Sequence, residues 1–206
     1  MVKSERQVEI FESISASAGM DVILTQDSVA KVVVEADDNL QENIKTEVSN
    51  GELKIYPEKQ IRSCKAKRVY VSFKTVHAID ASSGADVKST SQLKLSILEI
   101  SASSGANIDL ALEGDGLTAE CSSGGVINLS GSVNNLSVDG SSGARIKAPD
   151  FQSKTCNAGA SSGATIKISV SEKIIAKASS GGNISVNGNP KEREIEKSSG
   201  GSVSFK

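Results

Sequence analysis

The sequence predicts an all-β chain wound as a right-handed parallel β-helix, a β-solenoid of about eight coils with an N-terminal β excursion. Three observations carry that prediction. Ser-Ser-Gly recurs seven times, with its glycines at Gly84, Gly105, Gly124, Gly143, Gly163, Gly181 and Gly200, spaced 21, 19, 19, 20, 18 and 19 residues apart. Apolar and polar residues alternate on both sides of every triplet, the period of a strand and not of a helix. Apolar residues are 37% of the chain and aromatics 3%, with no Trp, so the interior is built from small and branched aliphatics, as a narrow coil requires.

Taken in order, residues 1–10 are an N-terminal extension, 11–80 hold a first coil with a β-rich elaboration, and 81–206 are the regular coils, all one continuous domain. The first coil is degenerate: Ile14, Ala16, Ser17-Ala18-Gly19, Met20, Val22 and Leu24 match the repeat. After it, Lys31–Glu35, Ile44–Val48, Leu53–Tyr56 and Arg68–Phe73 read as strands. Ser49-Asn50-Gly51-Glu52 is a hairpin turn, and Asp37-Asp38-Asn39 before Leu40-Gln41-Glu42 caps one short helical turn. These hairpins are expected to shield the N-terminal edge of the stack.

In the regular coils, numbering the first Ser of each triplet as zero, position +5 is Val87, Ile108, Ile127, Ile146, Ile166, Ile184 and Val203. Position -3 is Ile79, Ile100, Ala119, Val138, Ala158, Ala176 and Ile195, and -1 is small until Lys197. Positions -5, -3, -1, +3, +5 and +7 therefore point inward, and stacking at about 4.8 Å joins them into one core. Thirteen residues, from -5 to +7, keep a fixed length, so a third, looser side absorbs the variation. Turn formers there include Glu113-Gly114-Asp115-Gly116 and Asn187-Gly188-Asn189-Pro190. Each triplet Gly is expected to turn the chain where φ > 0 is needed or where no side chain fits, and the serines are expected to satisfy backbone groups locally. Handedness follows the strong bias of parallel crossovers.

Several function classes are disfavoured at this level. Lys plus Arg (23) nearly balance Asp plus Glu (25), and no run of one sign stands out, which argues against bulk electrostatic binding of nucleic acid or anionic membrane. Cys64, Cys121 and Cys156 lack metal-ligand spacing, and neither a zinc site nor any other cofactor is implied. No apolar stretch is long enough to span a membrane, and Met1–Ile10 has no signal-peptide character, so the protein is cytosolic or its leader is absent.

Phe11-Glu12-Ser13-Ile14, Gly19-Met20-Asp21-Val22, Asn50-Gly51-Glu52-Leu53-Lys54-Ile55 and the train of Ser-Ser-Gly-Ala/Gly-x-Val/Ile coils together resemble the putative auto-transporter adhesin, head GIN domain family. The resemblance covers roughly residues 8–206. It implies a β-helical envelope or secreted protein of Bacteroidetes-type bacteria, periplasmic, outer-membrane-associated or extracellular, exported with a leader this chain lacks. No ligand or catalytic residue comes with it.

Chemistry, if present, lies on outward columns. Position -2 holds Asp80, Ser101, Glu120, Asp139, Gly159, Lys177 and Glu196; Glu99 and Glu194 stand at -4. A binding face is expected around Glu99, Glu120, Asp139 and Arg145. Glu120 and Asp139 frame an alternative, a lyase-type β-helix enzyme using these stacked carboxylates for Ca²⁺ and Arg145 as the base. The favoured expectation is non-catalytic: an adhesin-like scaffold binding a glycan, matrix component or protein partner. A third reading, a self-assembling solenoid, rests on the absence of an evident cap at Ser202-Val203-Ser204-Phe205-Lys206 and gives a possible homo-oligomer through the terminal coils.

Overall fold

The computed structural model describes residues 1–206. The chain runs β1 (Val2–Arg6), β2 (Ser13–Ala16), β3 (Asp21–Gln26), β4 (Lys31–Ala36), a 3-10 turn at Asp38–Leu40, β5 (Ile44–Ser49), β6 (Glu52–Pro57) and β7 (Lys67–Phe73). The repeats follow as β8 (Ala78–Ala81), β9 (Asp86–Ser89), β10 (Leu93–Lys94), β11 (Ile97–Ala102), β12 (Asn107–Cys121) and β13 (Val126–Gly140). β14 (Arg145–Ala160), β15 (Thr165–Ala178), β16 (Asn183–Asn187), β17 (Glu192–Lys197) and β18 (Ser202–Phe205) complete them. Successive coils pair in parallel, giving a β-solenoid of about seven turns, close to the eight expected.

The register is the one the columns dictate. Ile108 pairs with Val87 and Ile127, and Ile146 with Ile127 and Ile166, so the +5 column is unbroken across these coils. Every member from Ile108 to Ile184 is fully buried. Small residues at -1, before Lys197, and at +3 let the two walls converge at the corner; at Gly125 (+3) a Cβ would lie 2.6 Å from the Ala102 carbonyl oxygen and 3.1 Å from Cys121 Sγ.

The corners differ in one respect from the expectation. Both the second Ser and the Gly are left-handed, with φ of 51° and 73° at Ser83 and Gly84, while the Ala85 N–H donates to the Ser82 carbonyl at 3.1 Å. This is a type I′ turn, whose two central residues both need φ > 0. The serine carries a left-handed cost that its glycine partner escapes, and a bond between coils offsets it: Gly84 N–H donates to the Ser104 carbonyl at 3.1 Å, and the same link recurs up to Gly181 and Ser199. Backbone, not hydroxyl, therefore satisfies the corner. No hydroxyl of a triplet serine bonds within the chain.

Glu113–Gly116 is not a turn. It stays inside β12, with Glu113 opposite Ser132 and Gly114 opposite Val133, because Gly114 brings its backbone against the coil below; a Cβ there would lie 2.0 Å from the Leu95 carbonyl oxygen. The third side is thus paired over most of its length at mid-stack. Its length variation is absorbed by register slips between Asn128 and Gly131 and between Ala148 and Gln152.

The excursion covers the N-terminal edge as expected. β6 lies parallel on β2 and β7 parallel on β3, forming one more rung; β5 then pairs antiparallel with β6, and β4 with β7, while β1 adds to β4. Asn50 and Gly51 make the hairpin turn with φ of 53° and 76°. The 3-10 turn forms after Asp37, but the Asp37 carboxylate accepts the Lys65 N–H at 2.8 Å and does not cap the turn.

This cap holds the one deeply buried carboxylate. Glu35 is 7% exposed; it accepts the Tyr70 hydroxyl at 2.7 Å and lies near Lys3 and Arg68. The Tyr70 bond first, then the two cations, hold its carboxyl below the usual range against the opposing effect of burial. A lowered folded pKa gives stability that is present above the unfolded value and lost as pH falls through the folded one. Thermal melts should therefore lose midpoint between about pH 5 and pH 3, and Glu35→Gln should lie lower at pH 7 and flatten that slope. An unchanged slope in the variant would assign acid sensitivity elsewhere.

Candidate functional site

The outward face of the wall preceding the Ser-Ser-Gly corner is channelled by two adjacent grooves, each of about 580 Å³. The one nearer the corner is polar. Its floor is the -2 column, in which Glu120 pairs with Asp139, Asp139 with Gly159, and Gly159 with Lys177. Its rim is the first serine of five corners: Ser103, Ser122, Ser141, Ser161 and Ser179. Strand alternation sets both rows, since -2 points out and the corner serine follows it by two. Five coils make the groove roughly 19 Å long.

Gly159 shapes the floor. An outward side chain there would have its Cβ 2.1 Å from Asp139 Oδ1, so the carboxylate of Asp139 leans over the bare backbone of the next coil. The residue's outline remains exposed, yet this contact withdraws the carboxylate from water and raises its pKa. No cation compensates it: Lys177, two coils away, is bound to Glu196 at 3.0 Å. Asp139 is thus an acceptor held short of solvent. Its ionisation opposes folding above the unfolded pKa, so Asp139→Asn should raise the melting temperature at pH 7 and have little effect at pH 3, where both states are protonated. A lower midpoint at pH 7 would mean that the carboxylate supports the fold.

Glu120 and Asp139 are brought together as adjacent rungs, but the remaining predicted site residues stand apart. Glu99 lies in β11 at -4, opposite Ala78 and Thr118, outside the groove. Arg145 opens β14 beyond the corner, between Val126 and Thr165, on a wall that faces elsewhere. No three His, Cys, Asp or Glu side chains are grouped to hold a metal ion. His77, at -5 before the first regular coil, is exposed. The thiols of Cys121 and Cys156 are inward: burial raises the pKa of Cys121, and burial together with the negative charge of Asp139 pushes Cys156 up to about 12, so both are protonated packing groups at neutral pH.

From the sequence, Gly159 and Lys177 stand in the -2 column and the corner serines are assigned mainly to backbone bonding, so none of them is joined with Glu120 and Asp139 into one site. Gly159 is visible as the one glycine of the otherwise polar -2 column, but the column does not show what the missing side chain admits. The second groove is more apolar, lined by Ile97, Leu117, Leu136 and Ile175 beside Thr118 and Lys173.

Comparison with known proteins gives a consistent fold. The family model described as "Putative auto-transporter adhesin, head GIN domain" matches residues 10–190. A crystal structure of a putative adhesin from Bacteroides fragilis is similar at TM-score 0.90 and 19% identity, covering 100% of this chain and 96% of that one. A putative lipid binding protein from Parabacteroides distasonis (TM-score 0.73, 19% identity) and a putative adhesin from Parabacteroides merdae (0.75, 18%) also cover 100% of this chain, over 96% and 95% of their own. No curated protein sequence matches significantly.

Proposed function

The chain belongs to the head GIN domain family of putative auto-transporter adhesins, and from that premise we propose that it is a non-catalytic scaffold of the cell envelope or exterior that binds a glycan along its polar groove. The observation that carries this reading is the row of unspent hydrogen-bonding groups. Five corner hydroxyls and two neighbouring carboxylates line one channel, and the corner's backbone needs are already met by its own ladder. Hydroxyl-rich ligands are recognised by such sets: carboxylates accept from sugar hydroxyls, and serines both donate and accept. The repeat of about 4.8 Å suits an extended, repetitive ligand. Affinity would come from many weak polar contacts, since no aromatic residue lines the groove for stacking.

Catalysis is less well supported, because Arg145 stands off the wall that carries Glu120 and Asp139. The test is a glycan and extracellular-matrix array with the purified chain, with and without Ca²⁺, followed by Glu120→Gln and Asp139→Asn. A hit that weakens at least tenfold in either variant, with no fall in melting temperature, supports the groove. Hits insensitive to both would move the site elsewhere. Turnover of a bound polysaccharide, or Ca²⁺-dependent thermal stabilisation lost on Glu120→Ala, would favour the lyase reading.

A further inference from the structure

The far end of the stack is closed by two cations. At -5 the inward column runs Leu98, Leu117, Leu136, Cys156 and Ile174, and then becomes Arg193; at -1 it runs through Ala160 and Ala178 and then becomes Lys197. Both stand directly on apolar residues of the preceding coil, Arg193 opposite Ile174 and Lys197 opposite Ala178. Neither turns outward. The Arg193 guanidinium lies over the Phe205 ring, 4.2 Å from its centre, with Nε donating to the Pro190 carbonyl at 3.0 Å and a terminal nitrogen donating to Asn189. Lys197 Nζ donates to the Val203 carbonyl at 3.0 Å. Phe205 and Val203 belong to the opposite wall, at +7 and +5, so each side chain crosses the end of the core from one wall to the other.

We propose that Arg193 and Lys197 are straps that seal the core and prevent a second copy of this chain from stacking end-on against it. The physical reason is the asymmetry between stem and head. Their methylene stems cover the last apolar layer, while their charges remain wet and exposed. A further coil laid on this edge would bury both charges; Glu192 and Glu196 are already engaged on the outside, with Lys173 at 3.2 Å and Lys177 at 3.0 Å, and Glu194 stands at the outward -4 position. β17 pairs only with β15, and β18 only with β16, so these strands offer open edges that inward charges make unusable. The end whose sequence shows no evident cap is therefore capped by residues that break the apolar columns.

Light scattering with size exclusion, over a concentration series, tests this on the full chain, with circular dichroism and melts reporting the fold. The wild type should hold 21.3 kDa throughout. Arg193→Leu with Lys197→Ala should raise the mass at least twofold with concentration, whereas Arg193→Lys with Lys197→Arg should stay monomeric. Lys197→Ala alone, an exposed change that leaves the coil intact, should give a smaller rise and serves if the double variant misfolds. A folded strap-free variant that stays at 21.3 kDa overturns the proposal, and so does end-on association of the wild type. Either result is independent of glycan binding.

Discussion

Ile146→Asp is expected to abolish the cooperative fold, or to lower its stability by about 4 kcal/mol or more, while Lys147→Asp beside it changes stability by under about 1 kcal/mol. Ile146 is fully buried in the +5 column between Ile127 and Ile166, and Lys147 is exposed one residue on. Aspartate at 146 would lose the packing of the isoleucine and place a carboxylate among aliphatic neighbours with no basic group inside the coil. Protonating it to escape that cost still leaves a buried polar group without a partner. The effect should not stay local. Each coil is stable only through its neighbours, so a defect at mid-stack separates the N-terminal cap from the coils beyond it. Urea unfolding followed by circular dichroism gives both numbers. Equal sensitivity at the two positions would place the wall one residue out of register.

That contrast also marks how much the amino-acid pattern shows. A strand's period of two makes inward and outward readable wherever the repeat is strict, so the walls, the corners and the four strands of the excursion are legible from residue order alone. Glu120 and Asp139 are legible as neighbours for the same reason, since equal positions in successive coils stack. Two kinds of feature are not. Backbone bonds between coils leave no mark in side-chain identity, so the corner serines resemble hydroxyl-mediated turns although their carbonyls carry the ladder. Glycine is also ambiguous in one dimension: Gly114 resembles a turn former and Gly159 an unremarkable gap, and only the adjacent coil shows that the first admits a carbonyl and the second a carboxylate. Arg193 and Lys197 are visible as breaks in the columns, but their reach across the core depends on side-chain paths that spacing does not give.

Gly131 separates the two uses of glycine most sharply. Gly131→Ala is expected to cost about 3 kcal/mol or more, whereas Gly143→Ala costs about 1 kcal/mol. Both have positive φ, 112° and 72°, so an added Cβ is strained at either one. Space distinguishes them. At Gly143 nothing lies within 4 Å of the new carbon, and alanine pays only for a left-handed backbone, as Ser142 beside it already does. At Gly131 the carbon would meet the Leu112 carbonyl oxygen at 1.9 Å and its carbon at 2.9 Å. That oxygen belongs to the strand paired directly beneath, so relief requires separating β12 from β13 or abandoning the slip in register that follows Asn128. Either path breaks ladder bonds at the centre of the stack. Denaturation midpoints of the two alanine variants, measured side by side, should differ in this order, and hydrogen exchange should show the loss of protection spreading from Leu112 and Gly131 into both neighbouring coils. If Gly143→Ala proves the worse of the two, the corners and not the close approach of the third side limit how tightly these coils can stack.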